Sequence, residues 1–316
     1  MFKILLFTLL VTKTSLAAQL DMEEVKSYFE SLPQQVIDEE KYSSLIKLGR
    51  KLYLEPRLSI NDKISCNSCH QLKKFGVDNE PTSPGHDGTR GGRNSPTSFN
   101  AAFHIAQFWD GRAKDLEEQA LGPILNPVEM GMPDEKTVVN KIKSIEEYQG
   151  LFKKAFPSQQ DPITYKNIGV AIAAFEKTLI TPSRFDDFLE GNKTALNFEE
   201  QRGLQKFISK GCISCHSGKG LGGDNYQKIG VVEEYKTEDL GRYEVTKDPN
   251  DKKVFKTPSL RNVAKTAPYF HDVSVKTLDE AIKLMAYHQL GEKLDYQSTR
   301  EIKAFLNSLT AKKTKF

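Results

Sequence analysis

Apolar positions recur along this 316-residue chain at helical spacing far more often than at strand spacing. Leu45, Leu48 and Leu52 mark one face of a helix. Ile168, Ile172, Phe175 and Leu179 follow at i, i+4, i+7 and i+11, which predicts an amphipathic helix ending near Thr181-Pro182. Asn197-Phe-Glu-Glu200 offers an N-cap with an acid three residues on, and Lys210-Gly211 a stop. Two further capping boxes, Thr277-Leu-Asp-Glu280 and Ser298-Thr-Arg-Glu301, predict the starts of the last two helices. Strand patterns are scarce, apart from a short hairpin expected within residues 226–243. Gly- and Pro-rich loops fill the remainder, notably residues 80–96 and 126–133. The pattern predicts a mostly α protein with long loops and little β.

Chemistry enters with the four cysteines, which fall in two copies of one motif: Cys66-Asn-Ser-Cys69-His70 and Cys212-Ile-Ser-Cys215-His216. Cys-x-x-Cys-His reads as a c-type haem attachment site, with two thiols bonded to the porphyrin and the histidine bound to iron. A zinc site, a redox dithiol and a disulfide pair are the competing readings. A zinc ribbon has no need of a histidine after both second cysteines, and thiol oxidoreductases carry a single motif. Two covalently bound haem c groups are therefore expected, one in each of two cytochrome c-like domains. The boundary is expected near residues 182–195, which assigns 19–190 to the first domain and 191–316 to the second.

The N-terminus changes the picture of location. Lys3, the apolar run of residues 4–11 and Ser15-Leu-Ala-Ala18 have the form of an export signal covering residues 1–18. The run is too short to span a bilayer, so no membrane span remains after cleavage. The formal charge is +3, and loss of Lys3 and Lys13 with the leader reduces it to +1. A near-neutral chain gives no electrostatic case for nucleic-acid or membrane partners.

The sixth iron ligands separate the two haems. His86, His104, His271, His288, Met130, Met132 and Met285 are the candidates. Met285 is in phase with Leu278 and Ile282 on a capped helix. A methionine there is ordinarily core, but the second iron needs a ligand. His86 lies in Pro84-Gly-His-Asp-Gly88, a glycine-rich loop suited to a displaceable ligand. Thioether ligation raises haem potential relative to imidazole. The second haem would then hold electrons, and the first would open when His86 departs.

The chain resembles the bacterial dihaem cytochrome c peroxidases from about Leu45 to its C-terminus. The resemblance rests on Leu48-Gly-Arg-Lys-Leu-Tyr53, Arg93-Asn-Ser-Pro-Thr97, Phe108-Trp-Asp-Gly-Arg112 and Asn126-Pro-Val-Glu-Met130. It continues through Ala171-Ile-Ala-Ala-Phe-Glu176, Lys256-Thr-Pro-Ser-Leu-Arg-Asn262, Ala267-Pro-Tyr-Phe-His-Asp272 and His288-Gln-Leu-Gly291. It implies a peroxidatic first haem that His86 leaves on activation, with Glu129 as catalytic acid, Gln119 in the distal pocket and Pro123 in its wall. Trp109 matches the aromatic between the haems, and His216 with Met285 the ligands of the electron-transfer haem. His271 matches a residue at that haem's edge, and Lys256 stands where the family more often has arginine. Asn94, Thr266 and Pro268 match an interdomain calcium site, whereas His104 and His288 match no ligand role.

The resemblance implies a periplasmic enzyme reducing H2O2 to water, with electrons from a small cytochrome c or cupredoxin. It also implies a homodimer. Two other functions compete: a superfamily relative oxidising a protein substrate during quinone-cofactor maturation, and a non-catalytic dihaem electron carrier. The maturation branch uses tyrosine where this chain has Met285, and the carrier has no use for Glu129.

Overall fold

A computed structural model describes residues 20–314, so the expected leader lies outside the described residues. Twelve helices carry the fold: α1 Met22–Tyr28, α2 Ser43–Tyr53, α3 Cys66–Cys69, α4 Leu116–Leu125, α5 Glu135–Lys143, α6 Glu146–Ala155, α7 Tyr165–Glu176, α8 Arg184–Leu189, α9 Phe198–Ser209, α10 Tyr243–Thr246, α11 Leu278–Leu290 and α12 Tyr296–Ser308. The described residues form one sheet, β1 Tyr226–Lys228 paired antiparallel with β2 Val254–Lys256. The protein is mostly α, as its periodicity predicts. No helix among the described residues is long and apolar enough to cross a membrane.

Most helix signals in the sequence appear in the structure. The leucine face of α2 buries Leu48 and Leu52 completely. Asn197 and Glu200 exchange both bonds of a capping box at α9, as Thr277 and Glu280 do at α11. Helix α7 stops at Glu176, yet Leu179 beyond it stays fully buried.

Two expectations are corrected. The last helix starts at Tyr296 because Asp295 accepts from the Ser298 N–H, so Ser298 and Glu301 lie inside it. Glu301 is buried beneath Arg202 rather than capping. The hairpin expected within residues 226–243 takes a more distant partner, Val254–Lys256, and Tyr243 opens a helical turn.

Two hydrophobic clusters organise the chain. One runs from Leu48 to Leu179; the other joins Phe185–Leu309 with Val25 and Phe29. Each is built on the same helix pair. Gly49 of α2 lies against the Ala171 carbonyl of α7, where a Cβ would come within 1.8 Å of oxygen. Gly203 of α9 meets the Glu301 carbonyl of α12 in the same way, at 1.9 Å. One turn on from these glycines, Tyr53–Phe175 and Phe207–Phe305 pack at the same 5.3 Å between ring centroids. Truncating Phe175 or Phe305 to alanine would cost about 3–5 kcal/mol. Each α2-like helix precedes a Cys-x-x-Cys-His motif, α9 at once and α2 after a short 3-10 turn and loop.

Candidate active site

Helix α3 is a single turn that puts Cys66 and Cys69 at i and i+3, on one face. Ser65 and Ser68 cap it reciprocally. His70 follows, its carbonyl accepting from the buried Tyr53 hydroxyl at 2.7 Å. Its Nδ1 is buried without a hydrogen-bond partner. In the second motif Gly211 takes a left-handed turn and Cys212 opens a 3-10 turn. His216 Nδ1 bonds the Leu221 carbonyl at 3.1 Å, which leaves Nε2 as the lone-pair nitrogen.

The thiols do not form disulfides. Burial pushes them all up, Cys69 to about 11 and Cys212 to about 12. Reactive dithiols need the opposite shift. No cluster of three His, Cys, Asp or Glu side chains suited to a metal ion occurs among the described residues. At the second motif an imidazole anchored through Nδ1 beside two inert thiols fits a covalently held haem, which His216 would bind through Nε2.

A cavity of about 790 Å³ opens beside the first motif. Cys66, Cys69 and His70 line it together with Trp109, Gln119, Pro123 and Glu129. Gln119 and Pro123 come from α4, and Glu129 from the loop that follows. Burial raises the Glu129 carboxyl above its ordinary value, against the opposing pull of Arg112 and of the Asn126 amide, which donates to Oε1 at 2.8 Å. A carboxyl raised in this way is a better proton acceptor than a solvated one. Arg112 is itself held by Asp110 and stacks on Phe108, 3.4 Å from the ring centroid.

Trp109 is placed by a tight turn. Phe108 and Gly111 both have positive φ, and Gln107 bridges Ala113 across the turn. A side chain at Gly111 would collide with the Tyr226 hydroxyl. The indole N–H donates to the Asn94 carbonyl at 2.9 Å, and the Trp109 carbonyl accepts from the Lys256 N–H at 2.8 Å. Trp109 thus joins a loop of the first motif to a strand that follows the second.

His86 does not line the cavity. Its Nε2 lies 3.1 Å from the Pro127 carbonyl, and its ring covers Gly131, which has no room for a Cβ. Met130 lines the cavity, whereas Met132 is buried in the first cluster. Met285 is half-buried on α11, where Leu278, Ile282 and Ala286 are buried. Asn94 contacts the Glu80 and Pro81 carbonyls, and its N–H donates to the His271 carbonyl. The nearby Ala267–Pro268 bond is cis, and Thr266 donates to the Val263 carbonyl.

Several residues of the site carried no assigned role in the sequence. Glu176 of α7 lines the cavity, 6% exposed, with Oε2 unpartnered, and burial lifts it to about 8. Arg93 grips Asp110 and Asp239 with its three nitrogens at 2.6–2.7 Å. Lys256 is buried without a carboxylate, falls to about 8, and lies 3.2 Å from His104 Nδ1. All three stand in stretches that carry the family resemblance, where only Lys256 drew notice, as a lysine where arginine is more usual.

Residues 43–194 match the family described as di-haem cytochrome c peroxidase. The chain is 43% identical to the cytochrome c551 peroxidase of Pseudomonas aeruginosa, over 96% of this chain and 91% of that one. It is 46% identical to the cytochrome c551 peroxidase of Nitrosomonas europaea, over 87% and 82%. Its fold is similar to that of a MauG-like protein associated with microbial copper homeostasis, with a TM-score of 0.79 and 29% identity over 90% and 94% of the two chains.

Proposed function

The chain belongs to the di-haem cytochrome c peroxidase family, and from that premise we propose that it reduces H2O2 to water in the periplasm. Two electrons and two protons enter per peroxide, the electrons coming from a small c-type cytochrome or cupredoxin. Haem c attached at Cys66 and Cys69 with His70, and at Cys212 and Cys215 with His216, supplies O–O cleavage and one-electron transfer. The observation that carries this reading is Glu129, a carboxyl raised by burial in the same cavity as His70.

The residues divide the work. Glu129 accepts the proton of the inner peroxide oxygen and returns it to the outer one as water leaves. Asn126 fixes its orientation, and Arg112 tempers its basicity. Gln119 offers an amide to the bound peroxide, and Pro123 keeps that wall apolar. Trp109 connects the first cavity to the second haem unit through Lys256. Met285 would supply a thioether to the second haem, which would raise its potential. His86 would be the displaceable ligand of the first, and its bond to Pro127 would hold it away from the cavity when that site is open.

The reading extends to a haem unit of residues 19–190 and another of 191–316, to a calcium ion held by Asn94, Thr266 and Pro268, and to a homodimer. The likeness to a MauG-like fold favours a second reading, oxidation of a protein substrate. Met285 in place of tyrosine speaks for the peroxidase. The deciding measurement is oxidation of reduced cytochrome c by H2O2 in wild type and Glu129→Gln. Loss of about 10²–10⁴-fold is expected in the variant. Unchanged turnover there removes the acid–base role, and no turnover in wild type removes the peroxidase reading.

A further inference from the structure

An unbroken run of aromatic rings leaves the first cavity. Trp109, which lines it, meets the His271 ring edge-on at 6.2 Å. His271 meets Tyr235 at 6.1 Å, Tyr235 meets His288 at 5.1 Å, and His288 meets Tyr287 at 5.2 Å. His271 is 2% exposed and stacks on Phe255 at 4.2 Å. Tyr235 is 6% exposed. Tyr287 is only half-buried, and its hydroxyl reaches toward Glu233. The run therefore passes from an interior cavity to the surface.

Tyr235 is equipped for more than packing. Its hydroxyl donates to Asp272 Oδ2 at 2.8 Å, and the Ser274 hydroxyl lies 2.6 Å away on the same oxygen. Burial first, and Asp272 with it, raise the phenol to about 12. It is thus protonated at neutral pH and can lose an electron readily only if the proton leaves too. Asp272 is half-buried and opens toward solvent, so it can receive that proton and pass it on. Both acceptor and bridge sit on one strained turn. Tyr269 bridges Val275, and Phe270 and Val273 between them have φ of 67° and 56°. Such conformations are disfavoured in residues of these types, and this turn presents His271 and Asp272 together.

We propose that Tyr235, with Asp272 as its proton acceptor, is an electron donor to oxidised Trp109, which draws unused oxidising equivalents out of the first cavity toward Tyr287. This rests on the peroxidase reading, since peroxide is the oxidant. The step is one electron and one proton: the Tyr235 O–H bond breaks, the proton goes to the Asp272 carboxylate, the electron goes to oxidised Trp109, and a neutral tyrosyl radical remains. The Ser274 hydroxyl donates to the radical oxygen. While protein donors keep Trp109 reduced the branch is idle; when they run out it spares the haem and the cavity walls from oxidation.

The test is electron paramagnetic resonance of the dihaem protein, frozen after excess H2O2 with no electron donor. Wild type should give a tyrosyl signal that Tyr235→Phe loses and Asp272→Asn reduces. Haem absorbance should bleach faster in both variants, while their turnover with reduced cytochrome c stays at the wild-type value. A tyrosyl signal of equal size in Tyr235→Phe overturns the assignment. So does wild-type protein whose haem spectrum responds to peroxide without any tyrosyl signal. A haem spectrum indifferent to peroxide instead removes the peroxidase reading, and the branch with it.

Discussion

The main-chain N–H of His86 donates to the carbonyl oxygen of Glu129 at 2.7 Å. Gly85 beside it lies so close to the Val128 carbonyl that a Cβ would come within 2.2 Å of that oxygen. The loops of His86 and Glu129 are therefore one hydrogen-bonded unit. On the proposed ligand set, movement of His86 toward the first haem would disturb the backbone of Glu129, coupling ligand exchange to placement of the acid.

His86→Ala should make the first haem permanently open. The fully oxidised variant is expected to bind cyanide at once, without prior reduction, in an optical titration. Binding identical to that of wild type would remove His86 from the ligand set.

Arg112 opposes the burial that raises Glu129. Replacing it with methionine should raise the carboxyl further, so the limb of the pH profile that requires ionised Glu129 moves to higher pH. The profile of kcat/KM reports this for the free enzyme. A limb that stays in place means Arg112 does not tune the acid.

Met285→Leu keeps the helix and its packing but removes the thioether. The second haem should fall in potential, read by a spectroelectrochemical titration, with haem content unchanged. An unchanged potential would locate the sixth ligand elsewhere.

Glu55 is held down at about 2. Burial alone would raise it, but the hydrogen bonds of Arg57 and of the Tyr148 hydroxyl outweigh burial. The ionised form is favoured in the fold, so its stabilisation is complete above the ordinary carboxylate range and is lost as pH falls toward 2. Glu55→Gln should lose about 2 kcal/mol at neutral pH. Its thermal midpoint should converge on that of wild type as the medium is acidified below about pH 4.

The signals that were legible are local ones. Asn197 with Glu200 and Thr277 with Glu280 are three residues apart, and a capping box needs nothing else. Ser298 and Glu301 have the same spacing, but Asp295 reaches the Ser298 N–H first, and Arg202 of α9 claims Glu301. The partner of β1 was hidden because its register depends on a strand more than twenty residues away. Cys-x-x-Cys-His declares its own chemistry, whereas the burial of Glu176 and Lys256 without a counter-charge exists only once folding strips water from them. The repeat of Gly49-to-Tyr53 in Gly203-to-Phe207 was visible as spacing but meaningless until Ala171 and Glu301 were seen against the glycines.

Asp186 accepts from the Leu32 N–H, the Ser183 N–H and Arg261, whose side chain is fully buried. Removing the cation as Arg261→Met should cost about 3–5 kcal/mol, because the carboxylate stays behind unpaired. The midpoint should fall by on the order of 10 °C in calorimetry. A loss confined to the range of ordinary surface substitutions would mean that Asp186 is satisfied by the backbone alone.

That same clamp has a consequence for the order of folding. Val25 and Phe29 lie ahead of the first cluster in the chain, yet they belong to the cluster completed by α12, which lies behind it. Everything from Leu48 to Leu179 lies between them and has a core of its own. Cys66 and Cys69 therefore stand on a half whose contacts are near in sequence, whereas Cys212 and Cys215 stand on one that closes only when distant segments find each other.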